Sequence, residues 1–308
     1  MADMRFTNVN TAVRGLLAEL MGPAARQVAA RGFQTRELGP IQFTLANPQQ
    51  RCLILPERRN NIFASIAETI WVVSGRNDLA FLQHYLPRAT DFSDDGTTWR
   101  AAYGPRLRNW AGVDQLAEVC RLLLGDADSR RAVMAIFDPA RDYVASKDIP
   151  CNNWLHWLIR DGRLNCHVAI RSNDIIWGFS GINAFEWSVL QEILAYWVGV
   201  SIGEITYSVS SEHLYSHHYE RAQQILAATS SDHDVYTATN LTRFAFATKW
   251  KDFSEVLDQW FAVEQTIRQN GEWQAAVDQF PDPLLQAFLR MLAVYWSAKR
   301  EEPLEQTL

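Results

Sequence analysis

The stretch NNWLHWLIRDGRLNCHVAIRS, residues 152–172, constrains the fold of this chain more than any other. Two runs typical of β-strands flank Asp161-Gly162, and an Asp-Gly pair between such runs is the strongest short-range signal for a hairpin. In the second run aliphatic and polar side chains alternate, so Arg171 projects on the same face as His167, opposite the aliphatic face. The chain therefore contains an antiparallel pair of strands with one apolar face to bury.

Several segments have the pattern of helices that could cover this sheet. Residues 60–78 are apolar almost all round, which predicts a buried helix, although Glu68 lies inside it. Residues 185–201 carry an apolar stripe at helical spacing. We expect an α+β fold, a mixed or antiparallel sheet covered by helices. The prediction is a single domain over residues 1–308, with a divergent, mostly helical C-terminal part over about 235–308.

Composition excludes several classes of protein. The net charge of -6 argues against a chain that coats nucleic acid, and no run of about 18 apolar residues could span a membrane. The N-terminus lacks the apolar region of a signal peptide. Four cysteines occur without a CxxC pair or a spacing that suits zinc. These features favour a cytoplasmic protein with reduced thiols and no metal.

Four positions are candidates for chemistry, each with a structural alternative. Cys151 is either a buried structural thiol or a nucleophile, which needs a nearby cation such as Arg171. Glu68 is either one half of a salt bridge or an acid/base group poised by desolvation. The pair Arg130-Arg131 is either a solvated edge or a phosphate clamp. The stretch SEHLYSHHYERA, residues 211–222, would place two side chains on one face of a strand, His213 and Tyr215.

Six short motifs follow one another in a fixed order. They are Glu68 in a buried helix, Tyr103-Gly104, DSRR ending at Arg131, Pro150-Cys151, RSND with Gly178 and Asn183 after it, and HLYSHH beginning at His213. In this order the motifs resemble those of the thymidylate synthase superfamily. RSND, the GF that follows it, DSRR before AVM, and LIRDGRLN are most similar to the (deoxy)cytidylate 5-hydroxymethylase branch.

The resemblance implies a role for each motif residue. Cys151 would add to C6 of a pyrimidine, while Glu68 and Tyr103 would organise water and proton transfer around the base. The implied phosphate ligands are Arg171, Ser172 and a loop arginine in one subunit, together with Arg130 and Arg131 from the other. The loop arginine is Arg31 or Arg36, with Arg31 preferred. The implied sugar, base and cofactor contacts are His213 and Tyr215 for the sugar, Asn183 for the base, and Asp174, Trp177 and Gly178 near the cofactor.

The resemblance also implies a reaction. A homodimer would transfer a one-carbon unit from 5,10-methylenetetrahydrofolate to C5 of a cytidylate, CMP or dCMP, and water would then complete a hydroxymethyl group. Methylation or hydroxymethylation of dUMP is the first alternative, because one asparagine amide can pair with either base by flipping. A nucleotide-binding protein without catalytic activity is the remote alternative.

The sequence departs from the thymidylate synthase pattern at four places. Asn152 stands where these synthases have a histidine after the nucleophile, and Ala30 stands where their phosphate loop has an arginine. GFSGIN is one residue longer than the usual GxPFN. The closing C-terminal segment of the family is not recognisable. The loss of the closing segment and the altered base loop fit a reaction in which water reaches the intermediate.

Overall fold

The computed structural model describes residues 4–30, 32–230, 234–238 and 243–303. The chain divides into two compact units, the first over Met1–Asn240 and the second over Leu241–Leu308. The expectation that residues 1–308 form a single domain stays a prediction. Within the described ranges, no helix is long and apolar enough to cross a membrane.

The first unit is built from alternating helices and strands. Its strands are β1 (Met4–Phe6), β2 (Arg26–Ala30), β3 (Phe33–Leu38), β4 (Ile41–Leu45), β5 (Val133–Ala135), β6 (Asn152–Arg160), β7 (Arg163–Ile170), β8 (Asn173–Asp174), β9 (Ser201–Val209) and β10 (Glu212–Tyr215). Its α-helices are α1 (Val9–Met21), α2 (Ile62–Val73), α3 (Leu79–Leu82), α4 (Tyr103–Arg108), α5 (Gln115–Gly125), α6 (Pro139–Asp142), α7 (Ala184–Val198), α8 (Tyr219–Ala228) and α9 (Val235–Ala238). A π-helix spans Ile175–Asn183, and 3-10 turns span Ala89–Phe92 and Ser216–His218.

Six strands form the main sheet in the order β1-β4-β9-β7-β6-β5. The predicted hairpin is present, since β6 and β7 pair antiparallel from Asn152 opposite Ile170 to Arg160 opposite Arg163. Its turn holds Asp161 at φ 51° and Gly162 at φ 69°, the left-handed geometry that a two-residue hairpin loop requires. β7 also pairs in parallel with β9, so the sheet is mixed. The α+β prediction is confirmed.

The two faces of the main sheet differ in exposure. One face carries the aliphatic side chains of the hairpin, and Leu155, Trp157 and Val168 are buried there on the side that α7 covers. α7 presents Trp187 and Leu190, which are also fully buried. The opposite face is only half-buried. Its side chains include Trp154, His156, His167 and Thr206. One face of the sheet is thus the core of this unit, and the other remains accessible.

A second sheet of four strands runs in the order β2-β3-β10-β8. The strands β2 and β3 form an antiparallel hairpin, with Ala30 opposite Phe33 at its end. β8 and β10 pair in parallel, which places His213 opposite Asp174. This small sheet therefore brings two distant sequence motifs, RSND and HLYSHH, side by side.

The second unit is helical, as predicted. It contains α10 (Phe253–Arg268), α11 (Gln274–Asp278) and α12 (Pro283–Lys299), with a 3-10 turn at Trp250–Asp252. Asp282 is completely buried and caps α12, accepting hydrogen bonds from the backbone N–H groups of Leu284 and Leu285 at 3.0 Å. Its other oxygen accepts from Thr248, so one carboxylate orders both a loop and a helix start.

Candidate active site

Cys151 lies immediately before β6, in an exposed position. Arg171, just beyond β7, places Nη2 3.8 Å from the Cys151 Sγ. The same guanidinium donates to the carbonyl oxygens of Pro150 and Ile149 at 2.8 and 2.9 Å, so its position is fixed by the loop that carries the thiol. Antiparallel pairing of β6 with β7 creates this juxtaposition. The cation that the sequence required beside the cysteine is therefore present, and a cation there favours the thiolate.

Asn152, which directly follows Cys151, is buried, and both polar atoms of its side chain form hydrogen bonds. Its amide Nδ2 donates to the Tyr103 hydroxyl at 2.7 Å, while its Oδ1 accepts from the indole Nε1 of Trp187 at 3.3 Å. The ring centroids of Tyr103 and Trp187 are 5.4 Å apart. Burial, with the Cys151 thiol nearby as the next cause, raises the pKa of Tyr103. Tyr103 is thus a neutral hydroxyl, oriented by the residue next to the predicted nucleophile.

Glu68 on α2 interacts electrostatically with two other carboxyl groups, those of Asp148 and Glu186. Desolvation, with a further contribution from Asp148, raises the pKa of Glu68 to about 8. Glu186 on α7 is completely buried, and burial together with Glu68 raises its pKa well above the ordinary value. Acids kept neutral by burial can both give and take a proton near neutral pH. Glu68 is desolvated as expected, and it has an acidic neighbour that the sequence analysis did not single out. Its acid/base role stays a prediction.

Asp174 begins the π-helix Ile175–Asn183. One of its carboxylate oxygens accepts from the backbone N–H groups of Ile176 and Trp177, at 2.9 and 3.2 Å. Within the π-helix, Ser180 donates to the carbonyl oxygens of Ile175 and Ile176. GFSGIN lies within this π-helix, where each hydrogen-bonded ring holds one more residue than in an α-helix.

Two exposed aromatic rings stand beside Asp174. Trp177 is 47% exposed and Phe92 is 39% exposed, and their ring centroids are 6.3 Å apart. A pair of exposed rings next to a half-buried carboxylate fits a flat heterocycle with N–H donors, such as the pterin of a folate. Gly178 lies close by, where an added Cβ would approach the Asn173 side chain to 3.2 Å. The residues predicted to contact the cofactor are therefore close together, and Phe92 adds a ring that sequence reasoning did not identify.

The predicted sugar contacts share one face of β10. The ring centroids of His213 and Tyr215 are 5.1 Å apart, and Tyr215 stacks on His217 at 5.5 Å. Because β10 pairs with β8, His213 lies opposite Asp174. The predicted sugar site and the predicted cofactor site are consequently neighbours on the small sheet.

The structure brings only some of the predicted phosphate ligands together. Ser172 is half-buried next to Arg171, whereas Arg130 and Arg131 are exposed at the start of β5. Among the described residues the structure gives neither of these two arginines a contact with Cys151 or Arg171. Arg31, the preferred loop arginine, lies outside the described residues. Arg36 donates to the Met21 carbonyl at 2.7 Å, so its guanidinium holds the end of α1.

Asn183, the predicted base contact, ends the π-helix at the start of α7 and is half-buried. In the described part of the chain its side chain makes no hydrogen bond that caps α7. An amide in this position has its donor and acceptor available for a ligand. The geometry does not distinguish uracil from cytosine, since the amide can present either atom.

An open groove lies at the accessible face of the sheet, and Arg171 is part of its lining. It encloses about 740 Å³. Its lining includes Val133, Phe137, Tyr143, Ile149, Trp154 and Arg171. Tyr143 is 80% exposed and Val133 is 46% exposed. The guanidinium beside the thiol is therefore reached from the side of the sheet that this unit leaves uncovered.

No group of three or more histidine, cysteine or acidic side chains in the described ranges could hold a metal ion. Three residues of the site region were missed by sequence reasoning: Phe92, Arg58 and Glu186. Arg58 is 5% exposed and donates to Ser180 and to the Ile176 carbonyl, which ties the loop before α2 to the π-helix. Glu186 lies in a segment that the sequence analysis recognised by its apolar stripe. A single glutamate on such a helix did not by itself indicate a functional residue.

The model of the family described as thymidylate synthase matches residues 16–258. The chain belongs to the thymidylate synthase family. Proteins named deoxyuridylate hydroxymethyltransferase are among its relatives. The one from Delftia phage PhiW-14 is 32% identical over 282 residues, which are 85% of this chain and 78% of that protein. The one from Bacillus phage SP01 is 36% identical over 204 residues, which are 62% of this chain and 53% of the relative. The one from Pseudomonas phage M6 is 35% identical over 205 residues, 66% and 58% of the respective chains.

Family membership confirms the fold and the class of activity. The mixed sheet covered by helices is the thymidylate synthase fold, and the chain is a folate-dependent one-carbon transferase. Methylenetetrahydrofolate is the one-carbon donor of the family. That Asp174, Trp177 and Gly178 contact this donor stays a prediction.

Proposed function

We propose that this enzyme hydroxymethylates C5 of a pyrimidine nucleoside 5′-monophosphate, with deoxyuridylate as the preferred substrate. The observation that carries the proposal is the Cys151 thiol held 3.8 Å from a fixed guanidinium, next to a network of Tyr103 and Asn152. The base follows from the relatives, whose names specify deoxyuridylate. Cytidylate, which the sequence motifs favoured, remains the alternative base.

Covalent addition begins the reaction. The Cys151 thiolate bonds to C6 of the pyrimidine, and the electron pair of the C5–C6 double bond moves toward C5 and the ring carbonyl. Arg171 stabilises the attacking anion through its guanidinium. Asn152 and Trp187 hold Tyr103 in place, so its hydroxyl can order water near the base. Methylenetetrahydrofolate, when bound, supplies the one-carbon unit that C5 then attacks.

Loss of the C5 proton, together with cleavage of the bond between the transferred carbon and the folate nitrogen, leaves an exocyclic methylene on the ring. Tetrahydrofolate departs with the electron pair of that bond and takes up a proton, and the fate of the methylene then decides the product. In hydroxymethylation a water oxygen bonds to the methylene carbon, and one water proton passes to a base. The ring then reforms the C5–C6 double bond and expels the Cys151 thiolate with the electron pair of the C–S bond. Glu68 is the base that we assign to this step, since its pKa of about 8 suits proton transfer near neutral pH.

We propose further that the enzyme acts as a homodimer through the accessible sheet face. Arg130 and Arg131 are exposed at the start of the edge strand β5, on the same sheet as the groove that Arg171 helps to line. A second copy packed on this face would bring its own arginines toward the phosphate bound by Arg171 and Ser172. Guanidinium groups match phosphate oxygens in a bidentate manner, which gives two subunits a shared anion site.

A panel of dUMP, dCMP, UMP and CMP with methylenetetrahydrofolate tests the reaction, with products identified by mass. We expect dUMP to gain CH2O and tetrahydrofolate to accumulate. A gain of CH2 together with dihydrofolate would instead establish methylation. A gain of CH2O on dCMP or CMP alone would reverse the choice of base.

A matched cysteine variant separates catalysis from binding. Cys151→Ser should abolish product while Cys52→Ser, which changes the other exposed thiol, should retain it. Exchange of the C5 hydrogen of a bound nucleotide should disappear in the first variant only. If wild-type enzyme exchanges no C5 hydrogen with any of the four nucleotides, the proposed covalent mechanism is wrong.

A further inference from the structure

Glu186 is an unusual residue for the interior of this unit. It lies in the first turn of α7, its side chain is 1% exposed, and within the described residues neither carboxyl oxygen has a hydrogen-bond partner. Two other acidic side chains of the interior are paired by contrast. Glu192, on the same helix, forms an ion pair with Arg51, and Asp142 pairs with Arg106. A buried carboxyl without a partner is costly, so its retention calls for an explanation beyond packing.

The titratable groups that interact with Glu186 come from three elements. Glu68 on α2 and Tyr103 at the start of α4 interact with it electrostatically, as does Tyr207 on β9. Two further groups act on these neighbours rather than on Glu186: Asp148 on Glu68, and Cys166 on Tyr207. The Tyr207 hydroxyl is also buried without a hydrogen-bond partner in the part of the chain that the structure describes. No cation is among the named influences on Glu186, and the neighbouring carboxyl is Glu68.

The position of Glu186 links this acid to the predicted nucleophile. The adjacent residue Trp187 donates to Asn152, whose amide donates to Tyr103, and Asn152 follows Cys151 directly. The first turn of α7 thus contributes both an indole that fixes this network and a carboxyl beside Glu68. The helix α7 packs on α2, so the two carboxyls are held by rigid elements rather than by loops.

We propose that Glu186 and Glu68 share a proton and act as one acid/base unit beside Tyr103. This inference rests on the proposed function, in which Glu68 accepts a proton from the water that adds to the methylene carbon. Two carboxyls close together in a buried site resist carrying two negative charges, so each controls the ionisation of the other. Glu186 is a positioning residue in this scheme. Either carboxyl can carry the proton, and the negative charge on one raises the pKa of the other, so replacing Glu186 by a neutral side chain lowers the pKa of Glu68.

The proton count of the water-addition step closes. Water gives its oxygen and one hydrogen to the new hydroxymethyl group and one proton to Glu68. The electron pair of the C6–S bond returns to Cys151 as thiolate. The pair of carboxyls then holds one proton more than before, and releasing it toward solvent restores the starting state. No oxidant or reductant is needed in this step.

The test compares Glu186→Gln with Glu192→Gln, another buried glutamate of α7. The amide introduced by Glu186→Gln keeps the volume and hydrogen-bonding capacity of the side chain but cannot ionise. We expect the pH limb of kcat that belongs to Glu68 to move to lower pH by about one unit, and kcat at pH 7 to fall about 10- to 100-fold. Glu192→Gln should leave the position of that limb unchanged. An unmoved limb in Glu186→Gln, with only a lower melting temperature, would show a purely structural role and overturn the proposal.

An infrared titration of the enzyme without substrate gives a readout that does not depend on activity. The wild type should show protonated carboxyl bands that titrate together, and Glu186→Gln should remove one band and shift the other to lower pH. Glu68→Gln should shift the Glu186 band in the same direction. If the two bands titrate together but the protein converts none of the four nucleotides, proton sharing is supported and the proposed function is wrong. Independent bands in an active enzyme would refute proton sharing alone.

Discussion

At the residue scale, the buried carboxyl of Glu186 makes the folded protein less stable as pH rises above the ordinary pKa of a glutamate. Its pKa is raised by burial, so between the ordinary value of 4.5 and the raised value the unfolded chain loses this proton while the folded chain keeps it. The unfolded state then binds fewer protons, and stability falls as pH rises through this window. Glu68 adds to the same trend up to about pH 8.

Glu186→Gln should therefore stabilise the protein more at pH 8 than at pH 5. We expect the free energy of unfolding to increase at pH 8, because the amide has no proton that only the folded state retains, and to increase less at pH 5, where the folded and unfolded states differ less in bound protons. Urea unfolding at the two pH values measures this difference. The control Glu192→Gln should lose stability at both values, because it leaves Arg51 buried without its counter-charge. An equal gain at both pH values would contradict this account.

Arg171 is expected to set the reactivity of Cys151. Arg171→Met removes the guanidinium 3.8 Å from the thiol and should slow alkylation of Cys151 by iodoacetamide at pH 7 by about tenfold, because a neighbouring cation favours the reactive thiolate. The measurement belongs in a Cys52→Ser background, since Cys52 is also exposed while Cys120 and Cys166 are buried. An unchanged rate would show that the guanidinium serves only to hold the Pro150 and Ile149 carbonyls.

The sequence revealed some site residues and concealed others for a physical reason. The sequence analysis identified Cys151, Arg171 and Glu68 because each is a reactive or charged residue in or beside a segment of mostly apolar residues. Glu186 did not, because its helix is buried on every side only after α2 and the sheet pack against it. Its isolation depends on partners distant in sequence, and no local periodicity encodes them.

At the scale of elements, the sequence pattern predicted the hairpin and the helices, whose formation depends on residues close together in the chain. The β6–β7 hairpin follows from alternation and Asp161-Gly162, and α2 and α7 follow from their apolar residues. The parallel pairing of β7 with β9 and the second sheet are contacts between distant segments, which alternation does not specify. The π-helix had one sequence signal, the additional residue in GFSGIN, but the sequence did not indicate which kind of turn this segment would form.

The π-helix should depend on Arg58 for its stability. Arg58→Met removes the donors to Ser180 and to the Ile176 carbonyl, and we expect a loss of about 2 kcal/mol because hydrogen bonds from a charged group are among the stronger ones. Arg59→Met is the matched control. Its side chain is 75% exposed and pairs with exposed Glu57, so its effect should stay within about 0.5 kcal/mol. Equal urea midpoints for the two variants would show that the Arg58 contacts do not stabilise the fold.

At the scale of the whole molecule, the main sheet has one face in the core and one that is accessible. The accessible face carries Trp154, His156 and His167, and it borders the groove that Arg171 helps to line. Half-buried aromatic side chains on a sheet face are typical of a surface that another element or another chain covers. Arg130 and Arg131 lie exposed at the edge of the same sheet, without an ion pair in the described part of the chain.

Mixing two inactive variants tests whether these arginines serve the other subunit. Cys151→Ser lacks the nucleophile, and Arg130→Ala with Arg131→Ala lacks the donated cations. If each site combines a cysteine from one chain with arginines from its partner, a mixed dimer contains one intact site and one doubly defective site. Random reassortment makes about half of the dimers mixed, so activity should recover to about a quarter of the wild-type value.

The recovered activity distinguishes active sites shared between two subunits from two simpler arrangements. A monomer that used its own arginines would regain nothing on mixing, because each chain would carry its own defect. A dimer with self-contained sites would likewise stay inactive, while sedimentation would still report two subunits. Recovery that rises with the time allowed for subunit exchange, and that is absent when both variants carry Cys151→Ser, requires that a phosphate site be completed across the accessible sheet face. Arg171 alone would then be insufficient for nucleotide binding, which explains why its groove opens toward that face.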